Sequence, residues 1–249
     1  MRNFRRNMKK IVPTVILAAM AIQSFSQKLP ASDSFKTPSG ELELHFIGHG
    51  SLMFKVNDFV IHIDPVSSEG NYDSKPNADL ILVTHEHYDH LDPALIEKLR
   101  KEETLLFSTE KVKAQVKWAE VMNPGDRKKA AMITVEAVHA YNIVHKRAQG
   151  QPYHPKGTGL GFIIETGDKR IYVAGDTENI PEMKALRNIY IAFLPMNLPY
   201  TMTPEMVADA AKAFSPAILY PYHFGDTNTD ILVNLMKGTD TEVRIRNLK

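Results

Sequence analysis

Apolar and polar residues alternate through much of the chain with the two-residue period of a β-strand. Leu42, Leu44 and Phe46 form one such series, and residues 80–83 form a short apolar run typical of a buried strand. The same patterns predict further strands at residues 51–56, 59–63, 104–107, 132–138, 160–165, 170–174, 189–194, 218–222 and 243–245. Strands therefore open each half of the chain.

Helical spacing of apolar residues appears between the later strands. Asp92 is a suitable N-cap because Pro93 stands at the first helical position, and Thr203 with Pro204 repeats this arrangement. Other helices are predicted near residues 110–119, 182–187 and 230–237. Because the second half repeats the plan of the first, we predict an α/β (α+β) fold: an αββα sandwich of two mixed sheets flanked by helices.

The first 26 residues differ from the rest of the chain. Their first ten positions contain five basic residues and no acidic one, an apolar run follows at residues 11–22, and the segment ends in Ser24-Phe25-Ser26. We interpret residues 1–26 as a cleavable signal peptide and expect an exported protein, periplasmic or secreted after cleavage near Ser26. An uncleaved membrane anchor is the alternative, which Pro13 and the short apolar run disfavour. Residues 27–40 are predicted to be a flexible lead-in, and residues 41–249 one folded domain.

Loss of the signal peptide would change the net charge of the protein from +1 to −4, since it leaves 25 basic and 29 acidic residues. A mildly acidic surface argues against nucleic acid as a partner, because such binding needs clustered lysine and arginine. The chain has no cysteine, so it has neither disulfides nor thiolate ligands, and no lipid-modified cysteine can anchor it. We therefore expect no stable membrane anchor after cleavage, and the sequence leaves the oligomeric state open.

Four residues of ligand type follow the apolar run at residues 80–83. In extended backbone, side chains two positions apart point the same way, so His85, His87 and Asp89 would share one side while His90 turns away. Imidazole and carboxylate groups are ligands of divalent metals such as zinc. A histidine-rich surface loop is the alternative, but this density at the end of a buried strand favours a metal site with two positions.

Four further residues stand directly after predicted strands: Asp64, His139, Asp176 and His223. Strand ends can hold side chains in fixed relative positions, because the sheet beneath them is rigid. Taken singly, each of these residues is also compatible with an ordinary turn or a structural histidine. His49 follows a strand as well, and the sequence leaves open whether it faces the same site.

The motif HEHYDH at residues 85–90 matches the HxHxDH pattern of the metallo-β-lactamase superfamily, and His139, Asp176 and His223 follow in the order of that family's later ligands. Residues 41–249 therefore resemble a metallo-β-lactamase-like hydrolase domain. The segments GDTENIPEM, MNLPYTMTPEMVADAA and PYHFGD resemble the branch that includes bacterial ascorbate-phosphate lactonase and the phospholipase D that hydrolyses N-acyl-phosphatidylethanolamine.

This resemblance implies a dinuclear site. The implied ligands are His85, His87 and His139 for one ion, Asp89, His90 and His223 for the other, and Asp176 as the bridge. Two divalent ions, with zinc expected first and Mn or Fe as alternatives, would share a hydroxide as the nucleophile. Asp89 and Asp176 are accordingly the residues implied in catalysis. Asp64, and less directly Thr84, would orient ligand histidines through hydrogen bonds.

The resemblance implies a metal-dependent hydrolase that cleaves an ester, lactone or phosphoester bond of a small molecule or lipid. Asp176 disfavours antibiotic hydrolysis, because the antibiotic-hydrolysing members generally lack that bridging aspartate. His87 disfavours a diiron oxidoreductase, because those relatives have glutamate at this position. A non-catalytic metal- or ligand-binding protein and a nucleic-acid phosphodiesterase are the alternatives.

Residues 141–158 form a polar segment too long for a simple connection, and it leaves the predicted ligand His139 directly. Its donors could orient an anionic substrate and stabilise developing negative charge. The residues that we predict to bind substrate are Tyr141, Asn142, His154 and Lys156. The alternative is a solvated flap whose charges only face water.

Overall fold

The first half of the chain forms a seven-stranded sheet in which the spatial order of the strands follows chain order. The computed structural model describes residue 29 and residues 31–249. The strands of this sheet are β1 (Ser32–Thr37), β2 (Gly40–Gly48), β3 (Ser51–Val56), β4 (Phe59–Ile63), β5 (Leu80–Leu82), β6 (Leu105–Ser108) and β7 (Glu120–Val121). β1 to β4 pair antiparallel and β4 to β7 pair parallel, so the sheet is mixed. The helices of this half are α1 (Pro93–Leu99) and α2 (Glu110–Lys113).

The second half forms another mixed seven-stranded sheet, again in chain order. Its strands are β8 (Arg127–Ala130), β9 (Ile133–Ala140), β10 (Gly159–Thr166), β11 (Lys169–Val173), β12 (Ile191–Pro195), β13 (Ile218–Tyr222) and β14 (Glu242–Val243). β8 to β11 pair antiparallel and β11 to β14 pair parallel. The helices are α3 (Pro181–Lys184), α4 (Pro204–Phe214) and α5 (Thr229–Leu235).

The main hydrophobic core lies between the two sheets. Phe46 and Phe54 of the first sheet contact Phe193 of the second, with ring centroids 6.4 and 5.7 Å apart. α4 packs on the second sheet, where the ring of Phe214 meets Tyr172 edge-on at 6.1 Å. A separate apolar cluster joins α1 to β5 and β6 of the first sheet. Helices therefore cover both sheets, and the predicted αββα sandwich is confirmed.

The caps of two predicted helices are also as expected. The side chain of Asp92 accepts from the backbone N–H of Leu95 at the start of α1, and that of Thr203 accepts from Met206 at the start of α4. Over residue 29 and residues 31–249, no helix combines the length and apolar character that crossing a membrane requires. The predicted signal peptide, residues 1–26, lies outside the described part of the chain.

The first strand corrects part of the sequence analysis. Ser32–Thr37 falls within the segment predicted to be a flexible lead-in, yet it pairs antiparallel with β2 along its whole length. Asp33 accepts hydrogen bonds from Arg246 at 2.7 and 2.8 Å, and Phe35 packs edge-on against Tyr190 at 6.0 Å. These partners lie far along the chain, so the polar local sequence gave no indication of the strand.

Candidate metal centre

The HEHYDH segment leaves β5 as a compact turn. The carbonyl of His87 accepts from the backbone N–H groups of His90 and Leu91 at 3.0 and 2.9 Å, and Asp92 then caps α1. The segment is therefore not extended beyond His87. This turn corrects the prediction that Asp89 shares one side with His85 and His87, because it carries Asp89 into a different group of ligand atoms together with His90.

The first group of ligand atoms consists of three imidazole nitrogens. His87 Nδ1 lies 3.1 Å from His85 Nε2 and 3.2 Å from His154 Nε2. All three atoms lie within 4.8 Å of one another, and His85 and His154 are buried. This spacing lets one cation contact all three nitrogens.

The second group consists of His49, Asp89, His90 and His223, whose ligand atoms also lie within 4.8 Å of one another. Asp89 Oδ2 lies 3.6 Å from His49 Nε2 and 3.6 Å from His223 Nε2. The imidazole rings of His49 and His223 overlap with centroids 3.7 Å apart. The structure thus answers the question left open for His49: its side chain belongs to the His/Asp cluster that these two groups form.

Asp176 lies between the two groups and approaches both. Its Oδ2 lies 3.3 Å from His154 Nε2 in the first group and 3.5 Å from His223 Nε2 in the second. Its Oδ1 lies 3.4 Å from His90 Nε2. A carboxylate in this position can contact a cation in each group.

Buried polar atoms at the cluster support its assignment to cations. Among the described residues, His90 Nε2, His223 Nε2 and Asp176 Oδ1 are buried without a hydrogen-bond partner. Such atoms are costly to leave unsatisfied, and bound divalent cations would satisfy them. The imidazole and carboxylate atoms present are ligands suited to zinc, manganese or iron.

Hydrogen bonds behind the cluster fix which imidazole nitrogen faces it. Asp64 accepts from the Thr84 backbone N–H, the Thr84 hydroxyl and His90 Nδ1, each at 2.7 Å. Because the Thr84 hydroxyl donates its proton to Asp64, its oxygen can accept from His85 Nδ1 at 3.0 Å. His85 and His90 therefore present Nε2 to the cluster, and Asp64 and Thr84, predicted to orient ligand histidines, are hydrogen-bonded to these two rings.

The surroundings of Asp176, His90 and His154 shift the pKa values of these three groups. Burial raises the pKa of Asp176, but His223 and His90 outweigh it and hold this pKa well below its usual range. Burial lowers the pKa of His90, but Asp176 and Asp64 raise it well above the ordinary value. Burial lowers the pKa of His154 to about 4. A neutral His154 keeps its Nε2 lone pair available to a cation, whereas a cation at His90 must displace a proton.

His154, rather than His139, completes the first group, which corrects two sequence assignments. His139 pairs with Leu160 between β9 and β10 and belongs to none of the described groups of ligand atoms. The segment after it folds back, so that Asn142 Oδ1 accepts from both the backbone N–H and Nδ1 of His154, at 3.0 and 2.7 Å. His154, predicted to contact substrate, thereby stands at the ligand position predicted for His139.

The other residues predicted to bind substrate have different surroundings. Asn142 is buried and orients His154. The Tyr141 hydroxyl donates to Glu182 at 2.9 Å, and Lys156 Nζ pairs with Glu182 at 2.7 Å. Neither Tyr141 nor Lys156 lines the cavity above the cluster. The density of donors in the sequence therefore reflects how this loop is anchored.

Two residues near the cluster were not singled out from the sequence. Glu178 is fully buried and accepts hydrogen bonds from the backbone N–H groups of Ile143, Val144 and His145, each at 2.7 Å. Gly50 packs against His90, since a Cβ atom there would lie 2.8 Å from His90 Cε1. The spacing Asp176-x-Glu178 and the pair His49-Gly50 are visible in the sequence, but neither pattern by itself indicates these contacts.

A cavity of about 570 Å³ opens above the two groups. Its floor includes His87, His154, Asp176 and His223. Its walls carry the acidic residues Glu69 and Glu86, three tyrosines and Arg147. The volume suits a small molecule or the reacting end of a larger one.

The two-sheet sandwich, with histidines and aspartates clustered beside its strand ends, is the architecture of a class of metallohydrolases. Comparison with known proteins agrees, because residues 43–223 match the family model described as the beta-lactamase superfamily domain. The chain is 28% identical over 226 residues to a UPF0173 metal-dependent hydrolase of Solibacter usitatus, covering 81% of this chain and 95% of that one. It is 30% identical over 196 residues to a UPF0173 metal-dependent hydrolase of Enterococcus faecalis, covering 74% and 86%.

A solved structure from Parabacteroides distasonis, described provisionally as a metal-dependent hydrolase, superposes with a TM-score of 0.83. It is 46% identical to this chain and covers 88% of it, and this chain covers 99% of that protein. The chain belongs to the metallo-β-lactamase superfamily and, within it, to the UPF0173 metal-dependent hydrolases. It is a metal-dependent hydrolase with a His/Asp cluster able to bind metal.

Proposed function

We propose that this hydrolase uses two divalent cations, with zinc first and manganese or iron as alternatives, to cleave an ester, lactone or phosphoester bond. The observation that carries the proposal is the position of Asp176, which approaches both groups of ligand atoms and forms a third group with His85 and His90. One group would hold a cation through His85, His87 and His154, and the other through Asp89, His90 and His223 with His49 alongside. Asp176 would contact both cations.

Two such cations would supply Lewis acidity, making water nucleophilic near neutral pH and stabilising charge on the attacking and leaving oxygens. The residues of the chain have the complementary task of holding the ligands in place. Asp64 and Thr84 fix the rings of His90 and His85, and Asn142 fixes that of His154. Asp89 is less buried than Asp176 and lines the cavity, so of these two carboxylates Asp89 is better placed to exchange a proton with substrate or water.

The proposed bond types rest on the shape and charge of the cavity and on the similarity of three sequence segments to lactonase and phospholipase members of the superfamily. A volume of about 570 Å³ favours a small molecule or one end of a lipid. A nucleic-acid phosphodiesterase is the less favoured function, because the described cavity wall offers Arg147 as its only lysine or arginine. Together these features favour a discrete small substrate over a polyanion.

The experiment that tests the proposal joins metal content to turnover. Purified protein reconstituted with Zn²⁺, Mn²⁺ or Fe²⁺ should carry two ions per chain by elemental analysis. It should hydrolyse at least one compound in a panel of aryl esters, lactones and phosphodiesters, and should lose that activity on chelation. An ion content of at most one per chain with full activity would refute the dinuclear assignment.

A matched pair of variants assigns the third histidine of the first group. His154→Ala removes an atom 3.2 Å from His87 Nδ1, so this variant should lose one ion and at least 100-fold in activity, about 3 kcal/mol in transition-state stabilisation. His139→Ala removes an imidazole outside both groups and should keep two ions. The reverse result would restore His139 as the ligand.

A further inference from the structure

One positively charged side chain, that of Arg147, lines the cavity that opens above the metal-ligand cluster. Among the described residues that line this cavity, Arg147 is the only lysine or arginine, and Glu69 and Glu86 also line it. The neighbouring Lys111 is already paired with Glu86 at 2.5 Å. Any anionic group that enters the cavity away from the ligand cluster therefore has Arg147 as its favourable partner.

The backbone holds Arg147 in a defined place. Lys146 and Pro152 form an isolated β-bridge, and the Arg147 N–H donates to the Gln151 carbonyl at 2.8 Å across the same turn. The guanidinium carbon lies 5.0 Å from the ring centroid of Tyr153, the residue directly before His154. The position of Arg147 is thus tied to that of a proposed metal ligand.

The guanidinium retains most of its hydrogen-bonding capacity. Its one hydrogen bond within the described residues runs to the Tyr153 carbonyl at 3.5 Å, longer than a typical N–H···O bond. No carboxylate of the described residues lies within 4.0 Å of it, whereas Lys156 on the same loop is paired with Glu182 at 2.7 Å. A guanidinium has five N–H donors in a planar fork that matches carboxylate and phosphate oxygens.

We propose that Arg147, supported by the ring of Tyr153, binds a carboxylate or phosphate group of the substrate that is separate from the bond being hydrolysed. This inference rests on the proposed function, since it takes the His/Asp cluster as the place of hydrolysis. The substrate is then an anionic ester, lactone or phosphoester. Tyr153 meets Tyr200 edge-on at 5.2 Å, and both rings line the cavity, so they can cover the part of the substrate between its two ends.

The test compares substrates that differ only in a distal charge. 4-Nitrophenyl hexanoate is neutral, and the mono-4-nitrophenyl ester of adipic acid has the same chain length with a terminal carboxylate. Hexyl and 5-carboxypentyl 4-nitrophenyl phosphate form the corresponding phosphodiester pair, in which both members carry the phosphodiester charge and only the second carries a distal carboxylate. The parent enzyme should prefer the member with the distal carboxylate at least tenfold in kcat/KM. Arg147→Met should abolish that preference through a higher KM for the member with the distal carboxylate, leave its kcat within about twofold, and change turnover of the other member little.

Lys146→Met is the matched control, because it removes one positive charge from the same turn but from a side chain that does not line the cavity. It should keep the preference, and Arg147→Lys should keep part of it. Both variants and Arg147→Met should retain the parent metal content. Equal loss in Lys146→Met and Arg147→Met would overturn the inference, because the preference would then come from diffuse charge.

A binding measurement separates this inference from the proposed function. Calorimetric titration of metal-loaded protein should give at least tenfold tighter binding of adipate than of hexanoate, and Arg147→Met should remove the difference. Failure to hydrolyse either ester or phosphodiester would count against the proposed function alone. Equal binding of adipate and hexanoate by the parent protein would refute the role of Arg147.

Discussion

The loop that carries His154 depends on a single buried carboxylate. Glu178 accepts from three backbone N–H groups at 2.7 Å, and also from His145 Nδ1 at 2.7 Å and Asn142 Nδ2 at 3.2 Å. Burial raises the pKa of Glu178, but the backbone donors outweigh it and lower the pKa below its usual value, so the group is ionised at neutral pH. Glu178 thus anchors Asn142, which in turn holds His154.

Replacing Glu178 by glutamine is the most informative perturbation of this anchor. An amide has one acceptor oxygen in place of two, and its NH₂ group would face backbone N–H donors. The N–H groups of Ile143 and Val144 both bond Oε2, and both lose a good acceptor if the NH₂ group takes its place. If the NH₂ group takes the place of Oε1, the His145 N–H and the Asn142 NH₂ group lose theirs. A buried donor left without a partner costs roughly 1–3 kcal/mol, so we expect about 4 kcal/mol for the pair. Since about 1.4 kcal/mol corresponds to a factor of ten, the open form of the loop should become more populated by a factor of about 10³.

Three measurements follow from this magnitude. Hydrogen exchange at the amides of Ile143, Val144 and His145 should accelerate by up to about 10³, because their acceptor is weakened. The free energy of unfolding in urea should fall by several kcal/mol if the loop opens only with the whole domain, and by less if it opens alone. One of the two proposed ions should leave on dialysis, because His154 is no longer held.

Glu182→Gln is the control, because Glu182 lies four residues further along and also binds this loop. Its partner Lys156 is 53% exposed, so solvent screens the ion pair and its loss should cost less than about 1 kcal/mol. Unchanged exchange at residues 143–145 in Glu178→Gln would refute the reasoning. Equal damage from both substitutions would do so too, because the effect would not then depend on the buried carboxylate.

Three further predictions concern stability, packing and export. Burial lowers the pKa of His62 from 6.5 to about 4, so between these pH values the unfolded chain binds a proton that the native state does not bind. The free energy of unfolding should therefore fall by up to about 3 kcal/mol as the pH drops from 6.5 to 4. Urea unfolding of His62→Gln should lack this part of the pH dependence. Gly50→Ala places a Cβ atom 2.8 Å from His90 Cε1 and should weaken retention of one ion by at least tenfold; retention equal to that of the parent would contradict the packing argument. Protein recovered from the native cell envelope should begin near Gln27; an N-terminus at Met1 in a soluble fraction would reject the signal peptide.

Local patterns were sufficient to predict most of the sandwich. Alternation predicted β2 and β3, and the Asp-Pro and Thr-Pro pairs located the starts of α1 and α4, because these signals act within a few residues. β1 was missed because its pairing depends on β2 and on partners near the end of the chain. α2 ends at Lys113 although the apolar pattern continues to Ala119, so that pattern describes a packed turn and not a helix.

The candidate site was predictable where its ligands follow strands directly. Asp176 and His223 lie beside the segment from His85 to His90. The sequence prediction gave His139 the position in the first group that His154 occupies, because both histidines stand near strands at opposite ends of one loop. The hydrogen bonds that His154 donates to Asn142 Oδ1, 12 residues away, hold the imidazole of His154 at the cluster. Such loop closure depends on tertiary contacts that no sequence period encodes.

The two halves of the chain meet at the cluster through their backbones as well as their side chains. The Leu160 N–H donates to the Thr84 carbonyl at 2.9 Å, and the His223 N–H donates to the His49 carbonyl at 3.2 Å. Each bond joins a segment of the first sheet to one of the second, next to residues that contribute or orient ligands. The separation of the ligand atoms therefore depends on how the two sheets pack. A change in the inter-sheet core should alter metal affinity even when every ligand is retained.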